Sequence, residues 1–339
     1  MSVRSPLARV RPRSGHGSAA DFANDVRYYL TLSPRQLPSR YLYDALGSAL
    51  FDAICELPWY RITRAEARLL ARHRDEVFGH LDRVSTIVEL GSGSGEKLRT
   101  LVQAESRRTG NLTVHTIDVS GAALTASARA LADLGDIAIV SHETTYEDGL
   151  GQFAGEPRGH ALPGLVGLAG SALVLFLGSN LGNFDRPGAE AFLRNVRAAL
   201  AVGDGLLLGA DLIKPERELL LAYDDPLGVT AAFNRNLLVR INRELGGDFA
   251  LNGFDHRAVW NPSESRVEMH LVARHPQRVR IDAAELDLDF TGGETIWTES
   301  SYKYRPDDLV AQIERVGFRS IAQWIEPEDR FALTLFRAV

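Results

Sequence analysis

The sequence predicts an α/β protein in which a doubly wound, mostly parallel sheet ends in an antiparallel hairpin and is joined to a second α+β domain. Between residues 64 and 214, short apolar runs alternate with helical patterns, which indicates a parallel sheet covered by helices on both faces. Residues 215–302 instead show a long helical pattern followed by runs of alternating polar and apolar residues. Residues 303–339 are typical of one helix and two strands, which we expect to close the edge of the first sheet.

The chain starts with residues 1–20, which include basic residues but no acidic ones. A disordered tail is the simpler interpretation, although the composition also weakly resembles a transit peptide. The segments "ADFANDVRYYLT" and "YDALGSALFDAICEL" then have helical spacing, and we assign residues 21–63 to the second domain. Thr63 and Glu66 resemble a capping box at the start of the next helix.

Five apolar runs follow as predicted strands: "VSTIVEL", "LTVHTIDV", "IAIVS", "ALVLFLGS" and "GLLLGADL". The Gly- and Pro-rich residues 151–170, which precede the fourth run, predict a surface loop insertion. In the second domain, "GVTAAFNRNLLVRINRELG" predicts a helix, and "RVEMHLVAR", "RVRIDAAELDLDF" and "TIWTESSYKY" predict antiparallel strands.

Composition favours small-molecule chemistry. The 339 residues carry a formal net charge of -6, so neither nucleic acid nor an anionic membrane is an expected partner. Cys55 is the only cysteine, which excludes an intramolecular disulfide and favours a reducing cytoplasm. No apolar run approaches the roughly 20 residues that span a bilayer. We expect a cytoplasmic monomer.

The most informative motif is "VELGSGSGEK", residues 88–97. A predicted strand containing Glu89 leads into Gly91, Gly93 and Gly95, which let the backbone turn sharply and approach a ligand, and Lys97 follows. The spacing is neither G-x-G-x-x-G nor a phosphate-binding P-loop. It matches E-x-G-x-G-x-G, the first motif of class I methyltransferases that use S-adenosylmethionine. A nicotinamide-dependent dehydrogenase and a simple tight turn are the alternatives.

A second signal supports this interpretation. The next predicted strand ends at Asp118, whose carboxylate can accept hydrogen bonds from both hydroxyls of a ribose.

Further segments extend the resemblance to a particular family. They are, in chain order, "YLYDALGSALFDAICELPWYRITRAEA", "FLGSNLGNF", "LLLGADLIKP", "LAYDDPLGVTAAFNRNLLVRINRELGGDF", "VEMHLVAR" and "TESSYKYR". From about residue 25 onward the chain resembles the histidine-specific Nα-methyltransferases of ergothioneine biosynthesis. Members of that family trimethylate the α-amine of L-histidine with S-adenosylmethionine and need no metal, and the product is hercynine.

The resemblance implies a set of site residues. The cofactor would be held by Glu89, Gly91, Gly93, Gly95, Lys97, Asp118, Thr145 and Tyr146. Thr145 lies in "HETTYED" where the family usually has an Asp, and Tyr146 would pack near the adenine. The catalytic residues would be Tyr43, close to the reacting amine, and Asn183. The acceptor would be bound by Tyr60, Phe51, Asn183, Tyr223, Met269, Glu299 and Ser301.

Each assignment has a simpler structural alternative. Tyr43, Tyr60 and Met269 have the spacing of core residues, and Asn183 follows a strand where it could cap the next helix. In "WTESSYKY", Glu299 and Ser301 share one face of a strand, which alone would favour a solvated surface; the resemblance makes this pair the imidazole-binding residues.

Other functions remain open on sequence alone. The alternatives are a related methyltransferase that acts on another amine and a non-catalytic protein that senses S-adenosylmethionine. The histidines show no metal-ligand spacing, so no metal site is predicted.

Overall fold

The structure is a computed structural model that describes residues 19–109, 112–135, 137–155 and 170–339. Most of the predicted N-terminal tail and residues 156–169 of the predicted insertion lie outside these ranges. Ala19 and Ala20 are helical, and residues 151–155 belong to a helix rather than to a loop, which corrects the predicted boundaries of both segments.

The helices of the described chain are α1 (Ala19–Leu30), α2 (Ala45–Glu56), α3 (Ile62–Gly79), α4 (Glu96–Thr109), α5 (Gly121–Leu131), α6 (Tyr146–Gly155), α7 (Arg186–Ala199), α8 (Glu216–Tyr223), α9 (Val229–Leu245) and α10 (Pro306–Glu314). The strands are β1 (Arg35–Gln36), β2 (Val84–Leu90), β3 (Leu112–Asp118), β4 (Ile137–Glu143), β5 (Ser171–Phe176), β6 (Gly205–Asp211), β7 (Phe254–Asn261), β8 (Arg266–Ala273), β9 (Gln277–Ile281), β10 (Leu286–Phe290), β11 (Thr295–Tyr302), β12 (Phe318–Glu326) and β13 (Phe331–Ala338).

The main sheet has seven strands in the order β12-β13-β6-β5-β2-β3-β4. Its five strands from β6 to β4 are parallel, and β12 and β13 form the antiparallel hairpin that the sequence predicts at the C-terminus. Every residue of β6 is buried, as expected for a central strand that is covered by helices on both faces. The predicted fold class is therefore confirmed.

The strand order reverses between β2 and β5. From β2 the chain adds β3 and β4 on one side, whereas β5 and β6 lie on the other. In open α/β sheets the crevice at the carboxyl ends of such strands is the usual ligand site. The glycine loop follows β2, and Asn183 follows β5.

A second, four-stranded sheet has the order β1-β11-β8-β7, and β9 and β10 form a separate hairpin. The two-residue strand β1 pairs with β11 in parallel, so the N-terminal segment joins the later strands. Helix α9 buries Phe233, Leu237 and Ile241 against α2 and the strands β7 and β8. The antiparallel pairing of β8 with β11 agrees with the predicted strands, whereas β7, which pairs with β8 on its other side, was not predicted.

The two sheets meet near the crevice. The amide of Tyr304, just after β11, donates to the carbonyl of Asp211 at the end of β6 (3.1 Å). A 3-10 helix, Asn180–Asn183, packs on β11 so closely that a Cβ on Gly182 would lie 2.7 Å from the carbonyl oxygen of Tyr302. One face of β11 is thereby held over the carboxyl ends of β5 and β6.

None of the helices in the described ranges is both long and apolar enough to span a membrane.

Candidate active site

The glycine loop adopts a conformation that side chains would prevent. Gly91 and Gly95 have φ angles of 85° and 77°, in the region that favours glycine. A Cβ on Gly91 would lie 2.9 Å from the Tyr146 hydroxyl and 3.1 Å from Asn180 Nδ2. A Cβ on Gly95 would lie 2.6 Å from Ser127 Cα. The loop therefore packs closely against Tyr146, against the segment after β5 and against α5.

Asp118 lies beside the glycine loop. Its Oδ2 accepts from the amide of Ser92 (2.9 Å), and its Oδ1 accepts from the amide of Ser120 (2.9 Å). Burial raises the pKa of the Asp118 carboxyl, and these backbone donors oppose the rise. These backbone amides hold the Asp118 carboxylate in one orientation.

Lys97 is held by a carboxylate that the sequence analysis assigned elsewhere. Its Nζ lies 2.6 Å from Oε2 of the fully buried Glu66, and both Glu66 oxygens accept from the amide of Gly178 at 2.9 Å. The predicted capping box is wrong, because α3 begins at Ile62 and Glu66 points into the crevice instead of back to the helix start. Burial opposes a positive charge on Lys97, but Glu66 outweighs it and raises the Lys97 pKa.

Glu89 contributes a second buried carboxyl group. It is 2% exposed, and its Oε2 has no hydrogen-bond partner among the residues that the structure describes. Burial raises the pKa of Glu89 to about 8, despite the opposing effect of Lys97. At neutral pH the group is therefore mostly protonated and can donate a hydrogen bond.

The aromatic residue after the third parallel strand is partly buried. Tyr146 packs edge-on against Phe176 and Phe192, with ring centroids 5.6 and 5.9 Å apart, and its hydroxyl faces Gly91. The Thr145 hydroxyl accepts from the amide of Asp148 (3.3 Å) at the start of α6. The cofactor residues expected from sequence thus surround the glycine loop, with Thr145 also serving the helix start.

A cavity that opens to solvent lies beside the loop. Its lining includes all the side chains expected to act on the acceptor: Tyr43, Phe51, Tyr60, Asn183, Tyr223, Met269, Glu299 and Ser301. Gly178, Ser179 and Asn180 also line it, so the segment after β5 borders both the cavity and the glycine loop. These residues come from five separate parts of the chain.

Aromatic rings form much of the wall. Tyr43 lies 5.5 Å from both Phe51 and Phe233, measured between ring centroids, and Tyr60 lies 6.1 Å from Phe51 and 6.2 Å from Tyr223. Phe233 was missed in the sequence, because in α9 it has the spacing of an ordinary core residue. Such a wall attracts cations through the ring faces.

Burial keeps the phenols of this wall protonated. It raises the pKa of Tyr43 well above the usual value, and the Glu299 carboxylate adds to the rise. The pKa of Tyr60 rises for the same reason, with Tyr223 as the next cause. Neither hydroxyl is a phenolate at neutral pH, so each acts as a hydrogen-bond donor or as a relay for a proton.

Asn183 is positioned by the 3-10 helix that ends with it. Ser179 precedes that helix with a φ of 60°, and its Oγ accepts from the amide of Asp211 (2.9 Å). The cap of α7 is Asp185, whose side chain accepts from the amide of Gly188. The helix-capping alternative for Asn183 is therefore wrong.

Glu299 is a buried carboxyl group that faces the cavity. It is 7% exposed, and its carboxylate has neither a hydrogen bond nor an ion pair to any residue in the described ranges. Burial raises the pKa of Glu299 to about 7, opposed by the positive charge of Lys303. The neighbouring Ser301 accepts from the Tyr223 hydroxyl (2.8 Å). The solvated-strand alternative for Glu299 does not hold.

Within the described ranges, no cluster of three or more His, Cys, Asp or Glu side chains is arranged to hold a metal ion.

Comparisons with known proteins agree with this geometry. A family model described as "Histidine-specific methyltransferase, SAM-dependent" matches residues 22–338. The histidine N-alpha-methyltransferase of Mycolicibacterium smegmatis is 41% identical over 322 residues, which cover 94% of this chain and 95% of that protein. The protein of the same name from Mycobacterium tuberculosis is 41% identical over 92% of this chain and 93% of its own length. Ergothioneine biosynthesis protein 1 of Schizosaccharomyces pombe is 27% identical over 85% of this chain and 37% of that protein.

Proposed function

The chain belongs to the histidine-specific, S-adenosylmethionine-dependent methyltransferase family, and on that premise we propose that it methylates the α-amine of L-histidine. Three successive transfers would give Nα,Nα,Nα-trimethylhistidine, or hercynine, for ergothioneine synthesis. The observation that carries the proposal is the cavity beside the glycine loop, in which a buried, unpartnered Glu299 faces the aromatic wall.

The residues around the glycine loop fit the methyl donor. The oriented Asp118 carboxylate and the unpartnered oxygen of Glu89 are features that a ligand with a ribose and polar groups would satisfy. S-adenosylmethionine, when bound, supplies an activated methyl group on a sulfonium. We assign the ribose hydroxyls to Asp118, the methionine carboxylate to Lys97 and the adenine to the side of Tyr146, with Thr145 next to it.

The cavity residues divide between the two ends of histidine. Tyr60, Asn183 and Tyr223 would hold the amino and carboxylate groups, and Phe51 and Met269 would shape the space around them. Glu299 and Ser301 would bind the imidazole. An acceptor without ring nitrogens would leave these buried groups unpaired, which disfavours its binding.

Positioning supplies most of the catalysis in this proposal, because methyl transfer is an in-line displacement that requires a neutral amine lone pair. The Tyr43 hydroxyl, protonated at neutral pH, would orient the amine or pass on the proton that it loses. The aromatic rings around Tyr43 and Phe233 accommodate the growing alkylammonium group without an ion pair.

Four parts of the chain would form two domains. Residues 64–214 and 303–339 would constitute the cofactor-binding domain, and residues 21–63 and 215–302 the acceptor-binding domain. The pairing of β1 with β11 supports the grouping of the two acceptor-binding parts. We propose that a monomer is active, and size-exclusion chromatography with an activity assay on the eluted fractions would test this.

The proposed substrate can be tested by incubating the protein with S-adenosylmethionine and each of the twenty amino acids in turn. Mass spectrometry should show methyl addition to histidine and to no other amino acid. Methylation of a different amino acid would support the alternative, a related methyltransferase with another amine substrate. Binding of the donor without any turnover would support a sensor.

A further inference from the structure

A buried ammonium group lies behind the end of the cavity where Glu299 and Ser301 meet. Lys303 follows β11 and is 3% exposed, and it is not among the residues that line the cavity. Its Nζ lies 2.9 Å from Asp211 Oδ2, 2.7 Å from the Tyr223 hydroxyl and 3.0 Å from Ser301 Oγ. An ammonium has three N–H donors, so these three acceptors engage every donor of Lys303.

These contacts determine what Ser301 can still do. Its Oγ accepts from Lys303 and also from the Tyr223 hydroxyl (2.8 Å). A serine hydroxyl has two lone pairs and one hydrogen, so only the hydrogen remains for a further bond. No acceptor for that hydrogen occurs among the described residues, and Ser301 lines the cavity. Ser301 therefore presents a donor to the bound molecule.

Glu299 has the opposite character. Once ionised, its carboxylate only accepts hydrogen bonds. It has no hydrogen-bond partner in the described structure, and it faces the same cavity. Two positions along a strand separate it from Ser301, or about 6–7 Å. The cavity thus offers one acceptor and one donor at fixed places.

We propose that Lys303, held by Asp211, is a positioning residue that fixes the Ser301 hydroxyl as a donor and thereby selects a neutral imidazole ring in one tautomer. The inference rests on the proposed function. The ring N–H points to Glu299, and the bare ring nitrogen accepts from Ser301. An imidazolium has two N–H donors and no acceptor, so one of its donors would face the Ser301 hydrogen. Without Lys303, the Ser301 hydrogen can turn back to the Tyr223 oxygen.

The test compares L-histidine with 3-(2-pyrrolyl)alanine, whose ring has an N–H but no acceptor nitrogen. Affinities are measured by calorimetry with S-adenosylhomocysteine present, so that no turnover occurs. The pyrrole analogue should bind at least about tenfold more weakly than histidine to the wild-type protein, because the Ser301 donor stays unpaired. In Lys303→Met this ratio should fall below about threefold, since the hydroxyl is free to turn.

Lys214→Met is the matched control. Lys214 is the other lysine on Asp211, at 2.6 Å from its Oδ1, but it has no contact with Ser301. If the loss of any lysine beside Asp211 had this effect, the ratio of the two affinities would fall in both variants. The proposal instead predicts that Lys214→Met keeps the wild-type ratio of affinity for histidine to affinity for the pyrrole analogue. If Lys303→Met does not fold, the double variant Asp211→Asn/Lys303→Met is measured in its place, because it removes both charges of the pair.

The outcomes separate the inference from its premise. If wild-type protein binds histidine and the analogue equally, or if the ratio in the Lys303 variants equals that of the wild type, the inference is overturned while the proposed function stands. If wild-type protein does not bind histidine, both the inference about Lys303 and the proposed function are refuted. Nitrogen-15 spectra of labelled histidine bound to wild-type protein should show one protonated and one bare ring nitrogen, and two protonated nitrogens would also overturn the inference.

Discussion

Glu299 combines a cost in stability with a proposed role in binding. The carboxyl group is buried without a hydrogen-bond partner in the described chain, and burial raises its pKa from 4.5 to about 7. A carboxyl group whose pKa is higher in the folded than in the unfolded state stabilises the fold below its unfolded pKa, and this contribution is lost as the pH rises through the folded value. Above about pH 7 the unliganded protein therefore carries a negative charge on a mostly buried side chain, and the positive charge of Lys303 offsets only part of the cost of burial.

We expect Glu299→Gln to raise the melting temperature of the unliganded protein at pH 8 and to change it little at pH 5. The gain in free energy of unfolding should be on the order of 1–3 kcal/mol, because one pKa unit corresponds to about 1.4 kcal/mol and neighbouring charges offset part of it. Differential scanning fluorimetry at both pH values measures this. The exposed Glu328→Gln is the control, and an equal gain at pH 5 and pH 8 would refute the electrostatic explanation.

Truncation of the same residue should separate the two ligands. Glu299→Ala removes the acceptor for the ring N–H, so the affinity for histidine should fall by about 100-fold, as for other buried polar recognition sites. The affinity for S-adenosylhomocysteine should change by less than about twofold, because Glu299 lies in the acceptor cavity. Calorimetry with each ligand provides the measurement, and equal losses for both ligands would argue against the assignment.

Helix α3 and the segment after β5 are joined through Glu66, which binds Lys97 and the Gly178 amide. Glu66→Gln keeps an acceptor for Gly178 but leaves Lys97 without its counter-ion. The unliganded variant should therefore lose about 1–3 kcal/mol of unfolding free energy. If the methionine carboxylate pairs with Lys97, S-adenosylhomocysteine should raise the melting temperature of this variant more than that of the wild type.

Glu76→Gln is a suitable control for this comparison, because Glu76 lies on the same helix but contacts His73 and Trp324. It should show the wild-type response to the ligand. A ligand-induced shift in Glu66→Gln that is equal to or smaller than the wild-type shift would contradict the assignment of Lys97.

The glycine loop offers a pair of matched substitutions. Gly95 has a φ of 77° and lies where a Cβ would clash with the Ser127 backbone at 2.6 Å, whereas Gly93 has a φ of 51° and open space around it. Gly95→Ala should lower the free energy of unfolding by about 3 kcal/mol or more, because it adds backbone strain and overpacking. Gly93→Ala should lower it by about 1 kcal/mol, because it adds strain alone. Urea unfolding of both variants tests this. Equal losses of unfolding free energy would show that the contact with Ser127 does not determine the effect of Gly95→Ala.

Across the whole molecule, local patterns predicted the fold, whereas the residues expected around the cavity came from the resemblance to a family. Alternating strands and helices imply a parallel sheet, and the glycine loop marks its ligand edge. Period-two alternation placed Glu299 and Ser301 on one face of β11, but the direction of that face depends on contacts between β11 and the 3-10 helix, Asn180–Asn183. Whether such a face is buried depends on tertiary packing, and the alternation of residues along a strand does not predict that packing.

The residues that the sequence did not reveal share a physical cause. Glu66 resembled a capping residue because its neighbour Thr63 has the right spacing, and only the fold brings Lys97 and Gly178 to it. Lys303 has its partner Asp211 in the other sheet. The strand β1 has only two residues, too few for a recognisable pattern. In each case the decisive contact joins segments that are distant in sequence.

The cavity has a polar pair, Glu299 and Ser301, and an aromatic wall that includes Tyr43 and Phe233. In the proposed assignment the polar pair binds the ring, so we expect the α-nitrogen, and not a ring nitrogen, to face the methyl donor. The position of methylation is therefore the central claim.

The most direct test is nuclear magnetic resonance of the product formed from L-histidine and S-adenosylmethionine carrying a carbon-13 methyl group. We expect three equivalent labelled methyl groups on the α-nitrogen and an unmodified imidazole. A labelled methyl group on a ring nitrogen, or histidine recovered without label, would contradict it.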